Sequence, residues 1–192
     1  MKIIIVIFTV VVLSLFGCQD ENLLVEPINI SSYHKLSKIE SYDSETTSVP
    51  NKLKIIRTKS FTVDGSKGGL IFLKYIWKKG IYAGIKVEAK LKIPIGAFKD
   101  SLTFDIIINP KLLSIQLCPS PFTFDKPVLL DLKYKGIDFS NIDPSNLDFK
   151  YISPSGHYVK TEYDYIKIDP IEKVLFVHNA VLPHFSRYGW TR

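Results

Sequence analysis

Few residues of this chain are of a type and spacing that could do acid–base, nucleophilic or metal chemistry. The four histidines, His34, His157, His178 and His184, have no metal-ligand spacing among themselves or with an acidic or cysteine partner. The glycine-rich segment 64–69 lacks the Lys-Ser/Thr ending and the following helix of a phosphate-binding loop. No pair of carboxylates is placed by its spacing on one element. The sequence therefore predicts a protein that is not an enzyme and that has neither a metal site nor a cofactor.

Cys18 has a clear chemical context at the N-terminus. It follows a short positive start and an almost wholly apolar run, 3–16, which is too short for a transmembrane helix and typical of a signal peptide. The ending Leu15-Phe16-Gly17-Cys18 resembles the lipobox of bacterial lipoproteins. This resemblance implies cleavage before Cys18 and acylation of the cysteine, as by palmitate. It predicts a signal peptide at 1–17 and lipidation of Cys18, with a plain secretory signal as the alternative.

Residues 18–50 have the composition of a flexible tether, since polar residues dominate and the apolar ones follow no clear period. In well-studied bacterial lipoproteins, Asp directly after the lipidated Cys favours the inner membrane. Gln19 occupies that position here, so the resemblance implies an anchor in the outer membrane, facing the periplasm or the cell surface. Lipidation of Cys18 would exclude a disulfide with Cys118, which an even cysteine count in an oxidising compartment otherwise favours.

Residues 51–192 show the period-two alternation of an all-β domain. Between positions 85 and 93, apolar residues occupy every odd position and Lys or Glu every even one. Turn residues at 153–156 and 169–172 predict two hairpins, and 136–145 is the one helix-like candidate, where Ser140 and Asp143 could cap a single turn. We expect one antiparallel β-sandwich or open barrel. The predicted strands are 53–63, 69–78, 85–93, 102–109, 112–117, 128–134, 147–152, 158–162, 163–168 and 173–180.

Four short motifs occur in order at the predicted strand and turn boundaries. They are Gly68-Gly69-Leu70, IPIGAF at 93–98, FDKPVLL at 124–130 and HFSRY at 184–188. Together they resemble the ZU-type domain of zonula occludens proteins, netrin receptors and ankyrins, from about Phe61 to the C-terminus. The resemblance implies a β-sandwich-like fold used mostly for protein–protein contact, without a cofactor.

The same resemblance implies a possible self-cleavage reaction at His184, Phe185 and Ser186. In some ZU-type domains of signalling proteins the chain cuts itself between the Phe and the Ser. By that resemblance the Ser186 hydroxyl would attack the Phe185 carbonyl with His184 as the base, and the resulting ester would hydrolyse. Such a cut would release only residues 186–192. The interpretation we favour is a well-packed strand, with Phe185 facing inward and Ser186 outward.

The net charge of +6 comes from Lys rather than Arg, because only three of the 25 basic residues are Arg. Nucleic-acid readers use clustered Arg, so no nucleic-acid partner is expected. Aromatic residues interleave with Lys in the β region. Three or more coplanar rings on an exposed face would form a platform for sugars, and the lysines could meet anionic polymers or lipid headgroups. The simpler interpretation is that the tyrosines form cross-strand pairs with exposed hydroxyls and that the lysines protect sheet edges.

Three functional hypotheses follow. The first, which we adopt, is a membrane-anchored envelope lipoprotein whose non-enzymatic β-domain serves protein–protein contact or envelope structure. Its expected partners are the membrane, through the lipid on Cys18, and another protein. The second is a glycan-binding module on the same anchor. The third is a domain that cleaves itself between Phe185 and Ser186.

Overall fold

The computed structural model describes residues 56–192, which form eleven β-strands and no α-helix. The expected signal peptide and tether, 1–50, lie outside these residues. No helix within 56–192 is long and apolar enough to span a membrane. Each of the ten predicted strands overlaps one observed strand, and β11 has no predicted counterpart. The strands are β1 (Arg57–Asp64), β2 (Gly69–Ile76), β3 (Lys86–Ile93), β4 (Ser101–Asn109), β5 (Ser114–Cys118), β6 (Phe122–Lys135), β7 (Asp148–Ile152), β8 (Tyr158–Lys160), β9 (Tyr165–Asp169), β10 (Val174–Phe185) and β11 (Arg187–Thr191).

The strands form two separate antiparallel sheets, as the sequence predicts. The first sheet has the order β1-β4-β5-β11-β7-β8, and the second has the order β2-β3-β6-β10-β9. The sheets are not closed into a barrel, so the β-sandwich rather than the open barrel describes the fold. Their inner faces share one hydrophobic core.

Strand β3 shows how the alternating sequence produces this arrangement. Val87, Ala89 and Leu91 are buried, whereas Lys86, just before Val87, and Glu88, between Val87 and Ala89, are exposed. Successive side chains of a strand point to opposite faces, so the apolar set enters the core and the charged set stays in water. The expected phase of this strand is confirmed.

The two predicted hairpin turns are confirmed. Of the two predicted helix-capping residues, only Asp143 caps a turn. The segment 153–156 joins β7 to β8, and 169–172 joins β9 to β10. The helix-like segment contributes to a single 3-10 turn, Pro144–Asn146, capped by Asp143, whose carboxylate accepts from the Ser145 N–H at 3.0 Å. Ser140 does not cap this turn, because its hydroxyl donates to Asp138 at 2.9 Å.

Strand β11 was not predicted from the sequence. It is buried by β5 and β7, which lie beside it in the sheet but far from it in the chain. It lies between β5 and β7 in the first sheet, although β10, just before it in the chain, belongs to the second sheet. Tyr188 and Trp190 are each 1% exposed. A Cβ at Gly189 would lie 2.9 Å from the Cβ of Ser114 on β5, so glycine permits the close approach of the two strands. A five-residue segment with a central glycine has no clear strand signal by itself.

Candidate functional site

The structure places His184, Phe185 and Ser186 where the chain crosses between the two sheets. Phe185 is the last residue of β10, and Ser186 forms a bend before β11. Phe185 is 1% exposed and Ser186 is 5% exposed. The expectation that Phe185 faces inward is confirmed. The expectation that Ser186 faces outward is wrong, because a crossing between two packed sheets buries the connecting residue.

The Phe185 side chain lies inside a cluster of aromatic rings. Its ring centroid is 4.8 Å from those of Phe104 and Phe124 and 5.4 Å from that of Phe122. The cluster therefore joins β4 of the first sheet to β6 and β10 of the second. The position of Phe185 has a sufficient structural explanation in this packing.

The peptide groups around Ser186 are hydrogen-bonded to a neighbouring loop and strand. The Ser120 hydroxyl donates to the Phe185 carbonyl at 3.0 Å, and the Leu117 N–H donates to the Ser186 carbonyl at 2.9 Å. In a self-cleavage reaction the Ser120 hydroxyl would be a donor to the oxygen that becomes negatively charged. The non-glycine residues with left-handed backbone in 56–192 are Leu113, Lys173 and Asn179, so neither Phe185 nor Ser186 has this strained conformation.

His184 makes its contacts with tyrosines. Its Nδ1 lies 3.3 Å from the Tyr188 hydroxyl, which also donates to the His184 carbonyl at 3.0 Å. The imidazole packs edge-on against Tyr151, with ring centroids 4.8 Å apart. These tyrosines, together with Thr161, line one side of a groove of about 320 Å³ beside His184. Self-cleavage with His184 as the base stays a prediction.

The expected product of cleavage changes with the topology. Residues 186–192 include β11, which pairs with β5 on one side and β7 on the other. Two strand ladders and the buried Tyr188 and Trp190 would hold this segment after a cut. If the bond between Phe185 and Ser186 were cut, we would therefore expect residues 186–192 to stay bound to the domain.

The four sequence motifs lie at one end of the sandwich. Gly68 has φ +66°, and a Cβ there would lie 2.5 Å from the Ile93 carbonyl oxygen, so the first motif packs against the second. The Asp125 N–H donates to the Ala97 carbonyl at 2.7 Å, which joins the second motif to the third. The Phe124 ring described above joins the third to the fourth. The motifs thus mark one packing cluster. Its relation to the ZU-type domain stays a prediction.

The aromatic residues do not follow the simpler interpretation throughout. Tyr151 and Tyr188 are directly opposite on β7 and β11, as expected for a cross-strand pair. The hydroxyl of Tyr188 is buried and bonded rather than exposed, and Tyr82 is also buried. Burial raises the pKa of the Tyr188 hydroxyl above its ordinary value. Within 56–192 the exposed aromatic residues are Phe72 and Tyr165, on the opposite edge strands of the second sheet, so they form no three-ring platform.

Lys74 and Lys160 lie on the edge strands β2 and β8, as the edge-protection interpretation expects, whereas five other lysines lie on interior strands. Lys86, Lys90 and Lys92 lie on β3, and Lys133 and Lys135 lie on β6. Both strands are interior strands of the second sheet. Protection of sheet edges therefore does not explain these five residues. The outer face of the second sheet, turned away from the core, carries them all.

A polar network that the sequence analysis did not identify also lies on this face. It is built on a β-bulge of β10, where Asn179 has φ +51° and donates its N–H to the Asp131 carboxylate at 2.9 Å. His178 Nδ1 and Lys92 Nζ lie 2.9 and 3.2 Å from the same carboxylate. The Asn179 side chain bonds to Lys92 and to Asp164. The polar pair His178-Asn179 inside the apolar segment 174–182 was the available signal.

Loss of the Asp131 charge is expected to reduce stability in a pH-dependent way. Burial raises the pKa of the Asp131 carboxyl, but the Asn179 N–H and the Lys92 ammonium outweigh it and lower the pKa overall. The resulting stabilisation is complete above the unfolded pKa, about 3.9, and is lost as the pH falls through the lower folded pKa. We expect Asp131→Asn to cost about 1–3 kcal/mol at pH 7 and progressively less below pH 4, measured by urea unfolding.

The control for this prediction is Glu172→Gln in the exposed β9–β10 turn. It removes one carboxylate without touching the network, so it should change the free energy of unfolding by about 0.5 kcal/mol or less. A difference between wild type and Asp131→Asn that stays constant down to pH 2 would contradict the assigned role of the carboxylate.

Comparisons with known proteins do not identify a family for this chain. No protein-family model matches the chain, and no curated protein is significantly similar to it. Residues 56–192 contain no group of three or more His, Cys, Asp or Glu side chains placed to hold a metal ion.

Proposed function

We propose that this protein is a membrane-anchored envelope lipoprotein that works by contact and not by catalysis. Cys18 carries the lipid, residues 18–50 are the tether, and the β-sandwich is presented to a partner protein or to envelope structure. The observation that supports a protein partner is the edge strand β2. We propose that an extended segment of the partner adds to this edge as a further strand.

Strand β2 has the features of an edge that accepts another strand. Among residues 56–192 it has one neighbour in its sheet, β3, and it pairs with β3 over all eight residues without a bulge. It contains no proline and one charged residue, Lys74. Leu70, Phe72 and Ile76 are 52%, 64% and 43% exposed. A long, regular and apolar edge of this kind pairs readily with another chain.

The other edge strands are less suited to this role. Strand β8 has three residues, and β9 has five, including Lys167 and Asp169. Strand β1 is as long as β2, but its side chains at 58, 60 and 62 are Thr, Ser and Thr. Strand β2 therefore combines length, regularity and exposed apolar side chains better than the other edges.

The direction of the β2 backbone groups identifies the position to test. Trp77 donates its N–H to Ile85, on the β3 side, at 3.0 Å. In an antiparallel ladder alternate residues point their backbone groups to the same side. The N–H groups of Phe72 and Lys74 therefore point to the open edge, where proline does not disturb the ladder with β3.

Photocrosslinking in the bacterial envelope tests the proposal. A photoreactive phenylalanine analogue at Phe72 should form a discrete protein adduct, whereas the same analogue at Ile171, which is 91% exposed in the β9–β10 turn, should not. Adding Lys74→Pro should reduce the adduct at least tenfold, because it removes an outward N–H.

Lys74→Ala is the matched control. It removes the same side chain and the ion pair with Glu88, but it keeps the N–H, so the adduct should persist. Equal adduct yields in the proline and alanine variants would exclude strand addition at β2. Both variants should give the wild-type circular dichroism spectrum.

A further inference from the structure

The outer face of the second sheet, called the lysine face below, is strongly basic. Apart from Asp125 and Lys126 near the start of β6, its strands carry seven lysines, against three carboxylates on these strands and one directly before β9. The lysines are Lys74, Lys86, Lys90, Lys92, Lys133, Lys135 and Lys167, and the carboxylates belong to Glu88, Asp131, Asp164 and Asp169. Three lysines are paired: Lys74 with Glu88, Lys92 with Asp131 and Lys167 with Asp169.

The other four lysines have no such partner. Within the described part of the chain, no carboxylate oxygen lies within 4.0 Å of the amino group of Lys86, Lys90, Lys133 or Lys135. In the β3–β6 register Lys90 and Lys133 are directly opposite Asp131 and Glu88, whereas Lys86 and Lys135 are directly opposite each other. Like charges in directly opposite positions destabilise a sheet. An anionic surface laid on this face would relieve the repulsion.

We propose that the lysine face binds the surface of a bilayer that contains anionic phospholipid. Five strands spaced at about 4.8 Å make a broad face, which fits an extended anionic surface better than a single small anion. Each lysine near such a surface adds a favourable electrostatic contribution. This inference goes beyond the proposed function and does not depend on strand addition at β2.

The position of the apolar side chains supports a bilayer as the partner. Leu70, Phe72 and Ile76 point from β2 to the same outer face, and Leu70 and Phe72 are directly opposite Lys92 and Lys90. Lysines bordered by exposed aliphatic and aromatic side chains are typical of surfaces that lie in the membrane interface. The 37 residues between Cys18 and Ile56 are long enough for the domain to reach the membrane of the expected anchor.

Vesicle co-sedimentation of the unacylated chain tests the face without the lipid anchor. Residues 18–192 carrying Cys18→Ser are mixed with vesicles of phosphatidylcholine alone or with 30% phosphatidylglycerol. We expect binding to the anionic vesicles, weak binding to the neutral ones, and loss of binding in high salt. Lys86→Glu with Lys135→Glu should lower the partition coefficient at least tenfold.

Lys150→Glu with Lys160→Glu is the matched control. These lysines are also directly opposite each other, but on β7 and β8 of the first sheet. The control has the same change in net charge, so its partition coefficient should fall less than about threefold. The pair Lys86→Gln and Lys135→Gln, checked by thermal unfolding, repeats the test if the Glu variant does not fold.

Three results would overturn the proposal. Equal losses in the two charge-reversed pairs would show that net charge alone decides binding. Equal binding to neutral vesicles would show that the lysines are not used. Binding to soluble polyphosphate but not to anionic vesicles would assign the face to a soluble polyanion. Each result leaves the crosslinking test of β2 unaffected, so the two proposals fail separately.

Discussion

Cys18→Ser is expected to abolish retention of the protein in membranes washed with high salt, which removes binding through the lysine face, while residues 56–192 stay folded. The lipobox-like sequence implies that the thiol and the new amino group of Cys18 carry acyl chains. Each buried methylene contributes about 0.8 kcal/mol, and stable anchoring needs more than one membrane signal. Without the thiol the anchor cannot form. Among residues 56–192, the buried members of the hydrophobic core begin at Ile71. Unfolding of the domain in this variant would contradict the assignment of 18–50 as a tether.

The intact mass of the protein extracted in detergent from bacterial membranes is the measurement. The wild type should begin at an acylated Cys18 and end at Arg192, and the Ser variant should yield no acylated species. An unacylated chain with a disulfide between Cys18 and Cys118 would contradict lipidation. The same spectrum tests self-cleavage, because a chain ending at Phe185 that is restored to full length by Ser186→Ala would establish the cut.

Leu91→Asp is expected to unfold the domain. Leu91 is fully buried on β3, where its direct neighbours are Ile71 on β2 and Leu130 on β6, both also buried. A carboxylate at this position would have apolar side chains beside it on both strands. Burial of such an unpaired polar group costs several kcal/mol, which is comparable with the whole stability of a domain, about 5–15 kcal/mol. Loss of near-ultraviolet circular dichroism and of cooperative urea unfolding is the expected result.

Lys86→Asp provides the matched control for this prediction. It introduces the same side chain on the same strand, but at an exposed position five residues earlier. Lys86→Asp also replaces the repulsion between Lys86 and Lys135 by an attraction, so the free energy of unfolding should fall by no more than about 0.5 kcal/mol. A folded Leu91→Asp variant with wild-type stability would show that the assigned faces of β3 are reversed.

Strands could be predicted from the sequence where one face of the strand is exposed to solvent and the other is buried. In β3 the two faces differ in every residue, so the period-two pattern identified the strand and its phase. Strand β11 lacks this contrast, because Tyr188, Gly189 and Trp190 are all buried between β5 and β7. Burial on both faces removes the alternation from which a strand is recognised.

The candidate sites were predictable only in part, because their burial and contacts depend on segments that are distant in the sequence. The motif at His184, Phe185 and Ser186 was visible in the sequence, but the burial of Ser186 follows from the crossing between sheets. The position of a lysine within a strand is visible in the sequence, but the position of that strand within the sheet is not. Lys86 and Lys135 are 49 residues apart in the chain and directly opposite in the structure.

The sequence by itself determined the fold class, the inward face of the alternating strands and most turns, because these depend on residues near one another in the chain. It also carries the evidence for lipidation, since the lipobox-like segment is a linear signal. The tertiary structure alone decided which strands are interior, where the chain crosses between the sheets, and that unpaired lysines meet on one face. These properties depend on the order of strands in each sheet, which is set by packing between segments distant in sequence.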